Sequence, residues 1–371
     1  MSRRPHWNRW ALAALVICAS FRALANTPSP AVMSDSDAGP TPEDRVALEQ
    51  YRNYQRQLLS HLRESVEPRD WALASELSLA GDTDSTGAPV DRQEMLRNAA
   101  AAAPNDPLVQ WLAANNISSS GDGACGSSLP KPEFVAALMT AAPDNGAALL
   151  MDLDAALRAK DKAGVDDILL RVTAAPHFTT YVTEALRAWV KVYQEFGPPD
   201  FMPALQPGDR AGRDKRVFVL AISHAAAMTG MRYSAVSKAC NVATQDAGHS
   251  WQRASLCEDM GRHISQVSSS ILNAQMGLLV VKKTGRLEPA DESQQRELTW
   301  LSHAPVHVEE ESASPAVFRS YLADTLALDD EREVMRRLLK RLGMSATPPA
   351  TWPSSGPTRM QDGPAHYAPS D

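Results

Sequence analysis

Ser128-Leu129-Pro130-Lys131 sets a hydroxyl and an amine three positions apart, and Lys283-Thr284-Gly285 follows 155 residues after Ser128. Residues of these types can do acyl transfer, with a serine nucleophile and a lysine within reach of it. Their context points elsewhere. A nucleophile of this kind sits at the start of a buried helix, whereas Pro130 and the surrounding Gly and Ser residues place Ser128 in a loop. The stretch "AQMGLLVVKKTG" reads as a helix that finishes on a glycine rather than as a strand, and no S-D-N lies between the two motifs.

The pairing resembles the S-x-x-K and K-T-G set of serine β-lactamases and penicillin-binding proteins, and departs from it at those three points. His303 and His307 stand four apart with Glu309, Glu310 and Glu311 just beyond, a metal site in outline. Pro305 separates the two histidines and breaks any shared helix face, and a structural metal needs about four placed ligands. The segment is therefore read as a solvated loop. His224, His249 and His263 fall on helical stretches with no Ser/Asp pattern that would complete a triad. Asp166-Asp167 and Asp329-Asp330 read as helix starts. Trp71, Trp111, Trp189 and Trp251 fall on apolar faces, which predicts core packing; one of them in a groove would be a binding anchor. No catalytic, metal or cofactor site is predicted.

Residues 1–25 carry Arg3, Arg4 and Arg9, then the apolar run Trp10 to Ile17, then Ala23-Leu24-Ala25, the order of an export signal cleaved between Ala25 and Asn26. Leu15-Val16-Ile17-Cys18 resembles a lipobox, but Ile17 is not the small residue that lipoprotein anchoring at Cys18 requires. The expected product is periplasmic or secreted, with no stable membrane insertion. Losing Arg3, Arg4, Arg9 and Arg22 from 37 basic residues leaves 33 against 44 acidic ones, a net charge of −11. A chain this acidic, without a basic stripe, argues against nucleic acid as a partner.

Cys125, Cys240 and Cys257 remain after cleavage, an odd count for an oxidising compartment. Three pairings exist on paper. Helical faces favour Cys240–Cys257, because Tyr233, Val236 and Cys240 share one face and Ala254, Cys257, Gly261 and Ile264 share the next. Closing that loop is worth about 3 kcal/mol in the chain-entropy picture.

The elements that must position these residues all read as helices. Residues 26–42 form a polar linker, 43–196 a run of helical hairpins, 213–343 a more charged C-terminal helical subdomain, and 345–371 a proline-rich disordered tail; "GPPDFMPALQPGDRAG" (197–212) is the main break. Within the hairpin run, "AAAPNDPLVQWLAANN" (101–116) and "AAPDNGAALLMDLDAAL" (141–157) share a seam. In each, proline stops one helix and Asp or Asn caps the next. One helix is expected over 144–159, a reversal at 160–164 and a second helix over 165–174.

Pro143 and Pro176 are 33 residues apart, and the unit between them resembles a degenerate tetratricopeptide hairpin. It departs from that motif at Asp152, which stands at the small-residue position of the first helix, and at Gly164, which stands where the second helix has alanine. From Ala99 to about Thr284, "DPLVQWLA", "PDNGAALL" and "CEDMGRHI" with the Cys240/Cys257 helices resemble a group of uncharacterised exported bacterial all-helical proteins. Members of that group often carry two cysteines near the Cys125 loop; here Ser127 and Ser128 stand there instead. The resemblance implies helical architecture and export, and no activity. The fold class expected is all-α, stacked antiparallel helix hairpins of tetratricopeptide-like or irregular array type. The function expected is a non-catalytic scaffold for a protein or peptide partner in the cell envelope. The alternative is an envelope-acting hydrolase or transferase whose site the sequence does not display.

Overall fold

Proline opens one helix after another. In the computed structural model, which describes residues 42–78, 90–116, 131–199, 213–230, 233–241, 250–303 and 315–353, α1 (Pro42–Glu64) and α2 (Pro68–Leu77) both begin on a proline. So do α4 (Pro107–Asn116) and α5 (Pro132–Ala141). The first turn of a helix leaves its N–H groups unused, so the missing donor of proline costs nothing there. Between them lies α3 (Arg92–Ala102). The helix expected over 144–159 is three pieces: α6 (Gly146–Leu149), a 3-10 turn (Leu150–Asp152) and α7 (Leu153–Arg158). The other helices are α8 (Lys162–Ala174), α9 (Val182–Phe196), α10 (Arg213–Met228), α11 (Tyr233–Ala239), α12 (Ser250–Val267), α13 (Ile271–Lys283), α14 (Pro289–His303), α15 (Pro315–Ala327) and α16 (Glu331–Arg341). Among the described residues, extended pairing is limited to two isolated bridges, Asn145 with His177 and Phe178 with Ser268. The protein is all-α.

Capping follows the logic of the seam. Asp106 accepts the N–H groups of Leu108 (3.1 Å) and Val109 (3.4 Å) at the start of α4. At the second seam Asn145, not Asp144, accepts from Ala147 (3.1 Å). Asp161 caps α8 through Gly164 N–H (2.9 Å), directly after Lys160 turns the chain at φ 55°. Each such bond satisfies a donor that the helix itself cannot.

The chain folds as two compact units that are interleaved rather than sequential: Met1–Ala103 with Glu184–Gly230, and Pro104–Thr183 with Met231–Asp371. The break at 197–212 thus joins α9 and α10 of the same unit; residues 200–212 lie outside the described residues. In the first unit α2 packs against α1 and α3, burying Leu58, Leu62, Leu73, Leu77 and Leu96. Trp71 is anchored by its indole N–H on Ser65 O at 2.7 Å. Trp189 of α9 is fully buried and donates to Met228 Sδ at 3.1 Å, tying α9 to the end of α10.

In the second unit α12 packs against α13 and α8. A Cβ on Gly277 would meet Gly261 O at 2.5 Å, and one on Gly261 would meet Gly277 O at 2.7 Å, so the two helices touch backbone to backbone. Only residues without a side chain permit that separation. Against α8, His263 donates Nε2–H to Ala175 O (2.6 Å), and the Arg253 guanidinium binds the Asp166 carboxylate and Lys162 O (3.0 Å). α13 lacks a side-chain cap of its own at Ser270, and a distant residue replaces it: the Glu331 carboxylate accepts Ile271 N–H at 2.8 Å.

The first part of the tail expected to be disordered from Ser345 onward is ordered. Ser345 to Pro353 is docked, with Trp352 only 5% exposed in a core cluster that includes Trp300, Leu301 and Leu339. Burial of the indole acts together with hydrogen bonds to this segment's carbonyls from Arg296 and from the Trp300 indole against the freedom the segment loses. Residues 354–371 lie outside the described residues.

Replacing Gly277 with alanine must push α12 and α13 apart. The expected cost is about 1–3 kcal/mol, read as a lower urea midpoint, with Gly261→Ala giving a similar loss. An unchanged midpoint in both variants would contradict the backbone contact.

Candidate binding surface

Side chains able to do chemistry are mostly engaged in holding helices together. Lys283 Nζ donates to Ser237 Oγ at 2.9 Å, Thr284 is the C-cap of α13, and Gly285 takes φ 75° as the chain leaves the helix. The K-T-G triplet is a helix terminus, as its sequence indicates. Lys131 precedes α5; Ser128 lies outside the described residues, as do Cys125, His249, His307 and Glu309 to Glu311. His303 ends α14 with Nδ1 beside Thr299 O (3.0 Å). Among the described residues no three of His, Cys, Asp and Glu converge as a metal-ligand set.

The carboxylate pairs divide in role. Asp166 pairs with Arg253 across α8 and α12, while Asp167 faces Arg171 on the surface of α8 at 3.7 Å. Asp330 caps α16 through Arg332 N–H at 2.9 Å. A further knot was not evident from spacing. Arg262 holds Glu258 (2.6 Å), Glu288 (2.9 Å), Asp291 (3.2 Å) and Arg286 O (3.0 Å) with one guanidinium. Glu258 also takes Arg286 at 3.1 Å. The Glu258–Arg262 pair is a local i,i+4 contact within α12, whereas the others reach the segment before α14 and α14 itself, separations that no local motif encodes.

Cys240 and Cys257 are joined by a disulfide, with Cα atoms 5.7 Å apart and both residues buried. The bond fastens the end of α11 to α12 two turns after its start.

The first unit gathers aromatic rings. His224 stacks on Trp189 at 4.4 Å and lies 6.2 Å from Tyr193; Tyr54 stands edge-on to Phe196 at 5.6 Å and donates to Gly197 O at 2.6 Å. Burial lowers the His224 imidazole to about 4. Burial, with the neighbouring phenols Tyr51 and Tyr54, pushes the Tyr193 hydroxyl well above its ordinary range. The stack is a neutral, tightly packed seam, suited to holding α9 against α10.

Trp251 is the exception among the described tryptophans. Trp111 and Trp189 are fully buried, whereas Trp251, expected in the core, is 67% exposed on the first turn of α12. Its helix start is held by Arg253, two residues on, which grips Asp166 and Lys162 O of α8. Leu170 of α8 is 58% exposed as well. The apolar periodicity of α12 is satisfied by Ala254, Cys257, Met260 and Ile264, all buried, and Trp251 lies a turn ahead of that stripe. The indole thus projects from a helix start that an ion pair fixes in place.

No protein-family model, curated protein or solved structure matches the chain. Among the described residues no helix is long and apolar enough to cross a membrane.

Two measurements follow. The unfolded chain protonates His224 near pH 6.5 and the folded chain only near 4, so stability present above pH 6.5 is lost as pH falls toward 4. Between pH 7 and 4.5 the urea midpoint of the natural chain should fall more steeply than that of His224→Phe, which keeps the stacked ring; parallel slopes would refute the assignment. Non-reducing digestion should yield one species joining the Cys240 and Cys257 peptides. Alkylation of both thiols without reductant would disprove the bond.

Proposed function

We propose that the chain is an exported helical scaffold that binds a protein or peptide partner in the cell envelope, without catalysis of its own. The exposed Trp251 carries this reading. Burying one indole removes about 150–250 Å² of aromatic surface from water, and interface energy concentrates in such residues. The helix beneath it is restrained by Arg253 and by Cys257, so little freedom is lost when a partner docks. Hairpin arrays of the degenerate tetratricopeptide type present extended surfaces to other chains, a fold-level analogy that agrees with the seams at 101–116 and 141–157. A leader ending at Ala25 and a paired Cys240–Cys257 suit an oxidising compartment.

The test has two arms. Protein purified from the envelope should begin at Asn26. A photo-reactive amino acid at position 251 should give a defined adduct in cells, and Trp251→Ala should weaken the captured complex by at least about 30-fold, the effect of a 2 kcal/mol hot spot. Because the side chain is exposed, the same substitution should change stability by no more than about 0.5 kcal/mol. An intact leader, or an exported and folded protein with no adduct at 251, would reject the reading.

A further inference from the structure

Asn145-Gly146 is the one Asn–Gly pair in the chain, and the fold needs each residue for its own reason. Asn145 is fully buried. Its Oδ1 accepts from Ala147 N–H (3.1 Å) and Thr179 N–H (3.0 Å), and its Nδ2 donates to Thr179 O (2.9 Å) and to the Tyr181 hydroxyl (3.1 Å). An ionised carboxylate accepts but cannot donate, so aspartate would serve only half of these partners. Gly146 opens α6 against the end of α8. A Cβ there would lie 3.1 Å from the Phe178 ring and 3.3 Å from Ala175 Cβ, which leaves no room for a side chain to shield the Gly146 amide.

These two requirements bring together a chemically labile pair, asparagine being among the thermolabile residues. With no side chain to obstruct it, a glycine nitrogen attacks the side-chain carbonyl carbon of the asparagine before it. A bond forms between Gly146 N and Asn145 Cγ, the Cγ–Nδ2 bond breaks, and Nδ2 leaves as ammonia with the proton of the attacking nitrogen. Water then opens the five-membered imide at one carbonyl or the other, giving aspartate or isoaspartate. The native geometry withholds each part of this reaction. At Asn145 ψ is 111°, which turns Gly146 N away from the Asn145 side chain. Gly146 N–H is committed to His177 O at 2.9 Å, and Asn145 is 0% exposed to the water that would complete the reaction.

We propose that Asn145-Gly146 is a self-modification site closed by the fold: silent in the native chain, it deamidates when the second unit unfolds, and the modified chain cannot rebuild that unit. Asn145, Thr179 and Tyr181 all belong to the second unit. The product lacks the donors that Thr179 O and the Tyr181 hydroxyl use, and a buried acceptor without a partner is costly. Tyr181 keeps φ 59° only within this bracket, so the loss also releases its main chain. Isoaspartate further adds a carbon to the main chain at the residue that caps α6. Prolonged unfolding is thereby made one-way, whatever partner the protein binds.

The experiment holds two samples of the full chain, disulfide intact, in mildly alkaline buffer, one native and one in guanidinium chloride. Peptide mapping by mass spectrometry reads aspartate and isoaspartate at position 145. The native sample should stay unmodified over the time in which half of the unfolded sample converts. After dilution of the half-converted sample, the pool that regains a compact, protease-resistant state should carry intact Asn145, and the remainder should carry the modified residue. Asn145→Asp, made directly, reports the second step without refolding: it should unfold at a lower denaturant midpoint than the natural chain or fail to fold. Modification of the native sample as fast as the unfolded one, equal modification in the two pools, or an unchanged midpoint for Asn145→Asp overturns the proposal.

Discussion

The backbones of α12 and α13 meet at Gly261 and Gly277, and most of the polar geometry of the second unit follows from that approach. With the two helices in contact, the residues flanking Gly261 are aimed outward in fixed directions. Arg262 reaches Glu288 and Asp291 at the entry to α14, His263 reaches Ala175 O after α8, and the Ser265 hydroxyl donates to Arg262 O of its own helix with Gln294 Oε1 alongside at 3.2 Å. On α13, Asn273 takes the Tyr233 hydroxyl from α11 and faces Thr180 at 3.4 Å. A wider separation would leave these groups short of their partners inside the protein, where an unsatisfied donor or acceptor costs about 1–3 kcal/mol.

Irregular segments are secured by side chains that come from far away in the sequence. Asn145 is fully buried and spends every polar atom: Oδ1 accepts from Ala147 and from Thr179 (3.0 Å), and Nδ2 donates to Thr179 O (2.9 Å) and to the Tyr181 hydroxyl (3.1 Å). This bracket lets Tyr181 adopt φ 59°, a conformation that a bulky residue holds only when its surroundings impose it. Its ring lies 5.7 Å from that of Trp111. Glu331 at α13 and Arg296 on the C-terminal segment act by the same rule, each supplying main-chain groups with partners that local structure does not provide.

Local signals were legible in the amino-acid sequence because their causes are local. Pro104 and Pro143 stop helices, Asp106 caps one, and Lys283-Thr284-Gly285 ends one, each within a single turn. The face shared by Tyr233, Val236 and Cys240 was visible for the same reason. Position 251 was misread because an amphipathic stripe fixes which face of α12 is apolar but not where its buried part begins. Trp352 was hidden by its setting, since composition marks a proline-rich stretch as unfolded and says nothing of an indole site waiting on another helix. At the second seam, where Asp or Asn could cap, the cap is Asn145, an amide that donates and accepts at once, as Thr179 and Tyr181 require.

The interleaving of the two units bears on the order in which the protein can be built. α1, α2 and α3 emerge first, yet the helices that complete their unit come only after Pro104–Thr183 has been made, and that stretch in turn waits for everything beyond Met231. Neither assembly is contiguous in the chain, so completing each requires contacts between segments far apart in the sequence. A scission at 197–212 would divide the first assembly instead of liberating an autonomous half.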